Sequence, residues 1–159
     1  MPPRFMNGFF QLGYVTSDLE KALEVYKTRF GVDKFMTFNT RDMNPDAEHH
    51  VKVGLAWTGD VMIELIEAAG DHPLYACAMP QNGFGIQLHH MGYLVDDEAG
   101  WREALAWLEE QRLPVVSHTK SGTMLELVYA DGRDAVGHHL EVIWAFPEGR
   151  AFLESVPRN

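Results

Sequence analysis

The sequence predicts an α+β fold in which the order β-α-β-β-β is run through twice. Three observations predict it. Two short apolar runs, residues 9–18 (Phe9-Phe10-Gln11-Leu12-Gly13-Tyr14-Val15-Thr16-Ser17-Asp18) and 88–97 (Leu88-His89-His90-Met91-Gly92-Tyr93-Leu94-Val95-Asp96-Asp97), carry Gly-Tyr at the same offset and end in Asp. Runs this short, rich in β-branched and aromatic residues, read as strands, and their likeness reads as an internal repeat. Each is followed by a segment whose apolar residues recur at helical spacing, and each of those by three further strand-like stretches.

In the first half, Leu19, Ala22, Leu23, Tyr26 and Phe30 form the helical stripe, with Ser17 or Asp18 as N-cap and Gly31 as C-cap. The strand-like stretches are about 33–39, 49–58 and 61–67, the last two joined by the tight turn Thr58-Gly59-Asp60. In the second half the helix covers 98–113, with Trp101, Leu105, Leu108 and Leu113 on one stripe, Ala104 beside it and Pro114 as its stop. The strand-like stretches there are about 115–119, 123–130 and 137–145, separated by Ser121-Gly122 and by Ala130-Asp131-Gly132-Arg133-Asp134. Module one therefore spans about 9–68 and module two about 86–145, with Pro80-Gln81-Asn82-Gly83-Phe84-Gly85 as the joint. The tail 146–159 carries Phe146, Phe152 and Leu153 and packs as a short helix or lid.

The chain has 159 residues, which fits one domain large enough to bury a core without cross-links. Hydrophobic residues are 46% and charged residues 23%, the balance of a soluble globular protein. Asp plus Glu number 23 against 13 Lys plus Arg, a formal net charge of −10. That charge argues against nucleic acid or an anionic membrane as partner. No apolar run approaches the roughly 18 residues a membrane span needs, and the N-terminus lacks the apolar core of a signal peptide. The one cysteine, Cys77, excludes a disulfide within the chain and a Cys-based zinc site, and cytoplasmic placement is expected. Within Leu74-Tyr75-Ala76-Cys77-Ala78-Met79 a buried, inert thiol is expected.

Four polar residues sit where strands want apolar ones. Gln11 and His90 lie in the first strands of the two modules, and Glu64 and Glu141 lie in the last strands, within Val61-Met62-Ile63-Glu64-Leu65-Ile66 and His139-Leu140-Glu141-Val142-Ile143-Trp144. A carboxylate in a buried strand costs several kcal/mol unless it is paired or bound to a metal. Two glutamates that merely face solvent on half-exposed strands would be ordinary, but their repeat-related placement asks for one common cause. A Gln oxygen, a His nitrogen and two carboxylates form a mixed donor set that suits zinc, nickel, cobalt or manganese. Such an ion polarises a carbonyl or enediolate oxygen, and a Glu beside it can move a proton on the adjacent carbon.

The runs Gln11-Leu12-Gly13-Tyr14-Val15-Thr16-Ser17-Asp18-Leu19 with Tyr26 and Phe30-Gly31, His90-Met91-Gly92-Tyr93-Leu94-Val95-Asp96-Asp97, and Leu140-Glu141-Val142-Ile143 resemble the vicinal-oxygen-chelate superfamily, over about residues 9–145. That superfamily includes glyoxalase I, methylmalonyl-CoA epimerase, extradiol dioxygenases and bleomycin-resistance proteins. The resemblance implies two tandem βαβββ modules forming a curled mixed sheet around a central cleft, with metal ligands at Gln11, Glu64, His90 and Glu141. The order Gln, Glu, His, Glu is similar to that of glyoxalase I of the eukaryotic type and departs from the dioxygenases, which have His at the position of Gln11. The resemblance thus implies a metal-dependent lyase or isomerase acting on a small molecule, with Glu141 as base and Glu64 as its partner, in a homodimer. The alternatives are an epimerase of acyl-CoA thioesters and a metal-free protein that sequesters a hydrophobic small molecule.

Of the paired histidines His49-His50, His89-His90 and His138-His139, strand alternation lets at most one of each face the cleft. His139 shares the face of Glu141 and is expected beside the ligands or against substrate; His89 and His138 face away. A glutathione or CoA carrier would ask for basic residues at the rim, where Arg41, Lys52, Lys120 and Arg133 are the candidates.

Overall fold

The computed structural model describes residues 2–159. In chain order it forms β1 (Phe9–Thr16), α1 (Leu19–Val25), β2 (Met36–Asn39), α2 (Thr40–Met43), β3 (Lys52–Thr58), β4 (Val61–Glu67), β5 (Ile86–Val95), α3 (Glu98–Glu110), β6 (Val115–Ser121), β7 (Leu125–Asp131), α4 (Arg133–Val136), β8 (His139–Ala145) and α5 (Pro147–Ser155). This is the β-α-β-β-β order twice, with the one-turn helices α2 and α4 added in connections expected to be loops. Among the described residues no helix is long and apolar enough to cross a membrane. The chain divides into two compact units, residues 2–11 with 90–155, and residues 12–89 with 156–159.

In the unit of residues 12–89 the strand order is β2-β3-β4-β1. The hairpin β3–β4 is antiparallel with Ala56 opposite Ile63 and Leu55 opposite Glu64, turning at Gly59 with φ of 62°. Alternation sends Ile63 and Leu65 to one face, where they pack against Leu19 and Ala22 of α1, with Leu12 and Tyr14 of β1. Met62, Glu64 and Ile66 take the other face. The cap of α1 is as expected: the Asp18 side chain accepts from the Lys21 amide at 3.1 Å. Its far end is not. Residues Tyr26–Phe30 form a π-helical turn, closed by left-handed Gly31. The wider turn shifts the helical phase, so Phe30, expected on the buried stripe, is 67% exposed. The C-terminus closes this unit. The Trp57 amide donates to the Pro157 carbonyl, the Asn159 amide donates to the Trp57 carbonyl, and the Arg158 guanidinium lies 4.8 Å from the Trp57 ring centre.

In the unit of residues 90–155 the order is β5-β8-β7-β6. β5 and β8 run parallel, while β8–β7 and β7–β6 are antiparallel, so the sheet is mixed. Tyr93 and Val95 of β5 and Leu140 and Val142 of β8 face Trp101, Ala104 and Leu108 of α3, with Phe5 from the N-terminal turn. The Asp97 side chain caps α3 by accepting from the Gly100 amide at 2.7 Å. The helix ends before Pro114 because Arg112 turns left-handed, at φ 57°, and the Leu113 amide donates back to the Leu108 carbonyl. Glycine usually fills that position, because a β-carbon is strained there. The tail expected as a helix or lid forms α5, whose Gly149 lies so close to the Met124 carbonyl that a β-carbon would overlap it.

The two ends of α3 therefore respond oppositely to substitution. Asp97→Ala lowers the unfolding free energy by about 1 kcal/mol, whereas Arg112→Gly raises it by roughly 0.5 kcal/mol. Urea unfolding midpoints read both, and a stabilised Asp97→Ala or a destabilised Arg112→Gly would contradict these end geometries.

Candidate functional site

The parallel register of β5 and β8 pairs His90 with His139 and Gly92 with Glu141. Paired residues share a face, so these four lie on one side of the sheet, opposite the side packed on α3. In β7, Tyr129 pairs with Glu141 and Asp131 with His139, extending the same face.

This face is buried although it is polar. His90 is 0% exposed and Glu141 3%. His90 Nε2 lies 3.3 Å from Glu141 Oε2. The Tyr129 ring meets the His90 ring edge-on at 5.1 Å between centres and limits its rotation. Gln11, 4% exposed, comes from the end of β1 that belongs to the same unit. Leu12 and Tyr14 pack toward α1, so alternation turns Gln11 to the opposite face.

Gly92 makes room for that side chain. A β-carbon on Gly92 would lie 2.7 Å from Gln11 Oε1 and 2.9 Å from Gln11 Cβ. The Gln11 amide therefore lies against Gly92, next to Glu141 in the register and two residues along the strand from His90. Three of the four ligands expected from the sequence are thus brought to one buried place. The fourth, Glu64, belongs to the other unit. There it is half-buried on the face of β4 away from α1, between Met62 and Ile66. In its own unit it has the place that Glu141 has in β8.

His139 is buried, as its shared face with Glu141 implies, and its Nε2 lies 4.0 Å from Asp131 Oδ1. Asp131 is itself gripped by Arg133, whose Nε and Nη2 donate to its two oxygens at 2.9 and 2.6 Å. The Arg133 guanidinium holds the Asp131 carboxyl well below the usual carboxylate range. Sequence reasoning missed Tyr129, Asp131 and the role of Gly92. The alternation of β7 and the Gly-Tyr repeat were the signals available.

Other expectations resolve plainly. His89 is buried, with a ring nitrogen 3.0 Å from the Leu74 carbonyl, and His50 is half-buried ahead of β3 in the other unit. Cys77, expected to be buried, is exposed: its short 3-10 turn, Ala76–Ala78, buries only Ala78. Of the basic rim candidates, Lys52 pairs with Glu67 at 2.8 Å and Arg133 with Asp131 at 2.6 Å, while Lys120 meets Glu126 at 3.4 Å.

The model of the glyoxalase/bleomycin resistance protein/dioxygenase superfamily matches residues 10–129. The chain belongs to that superfamily. None of the curated proteins matches its sequence. The fold is similar to that of Streptomyces coelicolor methylmalonyl-CoA epimerase in complex with 2-nitronate-propionyl-CoA, at TM-score 0.59 and 18% identity, over 86% of this chain and 96% of the epimerase. It is also similar to methylmalonyl-CoA epimerase from Mycobacterium tuberculosis, at TM-score 0.56 and 16% identity over 91% of each chain. A methylmalonyl-CoA epimerase in complex with methylmalonyl-CoA and NH4+ matches at TM-score 0.59 and 16% identity, over 86% of this chain and 93% of the other. At these identities the likeness is one of fold.

Two tests follow. Gly92→Ala pushes a β-carbon into Gln11, and the urea unfolding midpoint falls by the equivalent of about 1–3 kcal/mol, while far-ultraviolet circular dichroism stays unchanged; an unaltered midpoint contradicts the placement of Gln11. A carboxyl whose folded pKa is depressed adds stability above its ordinary value, 3.8 for Asp131, and loses it as pH falls below that value. Arg133→Gln is therefore less stable than the parent at neutral pH, and the gap begins to narrow only as pH falls below 3.8. A gap that widens in acid refutes the Arg133–Asp131 account.

Proposed function

We propose that this chain is a divalent-metal-dependent isomerase or lyase of the glyoxalase type, which moves a proton on the carbon next to a substrate carbonyl. The burial of His90 and Glu141 side by side, with Gln11 held against Gly92, supports it. One imidazole, one carboxylate and one amide oxygen, all buried, fit a borderline divalent ion such as zinc, nickel, cobalt or manganese. Glu64 is the proposed fourth ligand, on the strength of its equivalent place in the repeat.

When bound, such an ion supplies the positive charge that polarises a substrate carbonyl and acidifies the neighbouring C–H. Glu141 takes the proton on a carboxylate oxygen and gives it back, with Glu64 as its partner. Tyr129 holds the His90 ring in place, and Asp131 orients His139 to contact substrate from the same face. The apolar strands around these groups exclude water, which strengthens every charge interaction among them. We further place the protein in the cytoplasm, as a homodimer.

A second reading, epimerisation of an acyl-CoA thioester, uses the same proton transfer. The epimerase structures bound to CoA ligands favour it. Lys52 and Arg133 are each held within 2.8 Å of a carboxylate and so are poorly placed to hold an anionic carrier. Simple sequestration of a hydrophobic molecule leaves the buried carboxylate and imidazole without a purpose.

Deuterium exchange in heavy water separates these readings. With a stoichiometric ion bound, the α-proton of an α-hydroxycarbonyl or of methylmalonyl-CoA exchanges, and the substrate that does so selects between the first two. Glu141→Gln slows exchange by about 10²- to 10⁴-fold. Exchange of neither substrate refutes both enzymatic readings, and full exchange in Glu141→Gln refutes the assignment of the base.

A further inference from the structure

A cavity of about 430 Å3 lies in the unit that holds His90 and Glu141, yet neither of them lines it, nor does Gln11. Its size falls within the roughly 300–1,000 Å3 of small-molecule sites. The N-terminal 3-10 turn, Arg4–Gly8, forms one wall and the C-terminal end of β5 another. Phe5, Phe9 and Phe10 supply apolar surface, and Arg4 and Arg150 reach it from separate elements, the N-terminal turn and α5. Its β5 wall begins at Leu94, four residues beyond His90, which is about 13 Å along the strand.

The two arginines hold their carboxylates unlike Arg133, which grips Asp131 at 2.9 and 2.6 Å. Arg4 meets Asp97 through one contact of 3.3 Å, and that carboxylate is already committed to capping α3. Arg150 donates through one nitrogen to the Val95 carbonyl at 3.2 Å and to Asp96 at 3.4 Å. Charge-assisted bonds are normally about 2.7–2.9 Å. Both guanidinium groups thus hold weak partners at the edge of an aromatic-walled cavity, and each keeps further N–H donors without a protein acceptor among the described residues.

We propose that this cavity is a second binding site, for a small organic anion: a carboxylate or phosphate held between Arg4 and Arg150, on an apolar or aromatic body that packs against the phenylalanines. Two arginine forks can share such a head group in a way one lysine cannot. The site is independent of the proposed metal chemistry.

Amide shifts of the nitrogen-15-labelled full chain test it, with phenyl phosphate, phenylacetate and neutral 2-phenylethanol as probes. Gly8 and Gly100 should shift saturably with at least one of the two anions, at least 10-fold more tightly than with the alcohol; the anion that does so tells phosphate from carboxylate. The double variant Arg4→Gln/Arg150→Gln should weaken anion binding at least 10-fold and leave the alcohol unchanged, while Glu141→Gln leaves both unchanged. Equal affinity for alcohol and anions in the parent chain, no shift at Gly8 and Gly100, or loss of binding in Glu141→Gln overturns the proposal.

Discussion

Everything at the candidate site depends on one imidazole and one carboxylate buried side by side. His90 and Glu141 are as buried as the aliphatic core, yet neither belongs to it. Removing two such groups from water costs several kcal/mol each unless their charge is answered nearby. A pair at 3.3 Å answers part of that cost. A divalent ion in the same place would answer more of it, since it neutralises carboxylates and takes the imidazole lone pair in one interaction.

The fold produces this arrangement by dividing the labour between sheet faces. In each unit, one face of the strands is spent on a helix: Ile63 and Leu65 on α1, and Leu140 and Val142 on α3. Side chains of the opposite parity are released from that duty, and the last strand of each unit uses the freedom to carry a glutamate. The parallel pairing of β5 with β8 then sets which residues are neighbours. A slip of one position would put Glu141 against the helix and Leu140 in its place. Gly92 adds the last requirement, because any larger residue there would displace Gln11.

Most of the architecture was legible because it is local. The Gly-Tyr repeat, helical spacing around Trp101 and the hairpin at Gly59 are short-range signals, and the strand expected at 61–67 is found at Val61–Glu67. The placement of Gln11, His90 and Glu141 on one face followed from alternation and the repeat. What escaped depends on geometry that no short window of sequence contains. The π-helical turn that exposes Phe30 reflects how the end of α1 is closed by Gly31. The exposure of Cys77 depends on a 3-10 turn within an apolar run. The Tyr129 contact to His90 and the cavity that Arg4 and Arg150 both line join residues far apart in the chain, and only the folded structure brings them together.

The claim that the polar face binds a cation is tested most directly by a crystal soaked with zinc and measured at the zinc absorption edge. One strong anomalous peak per chain is expected, about 2.0–2.2 Å from ligand atoms of His90, Glu141 and Gln11. A peak elsewhere on the protein, or an empty face with His90 and Glu141 still paired directly to each other, would contradict it.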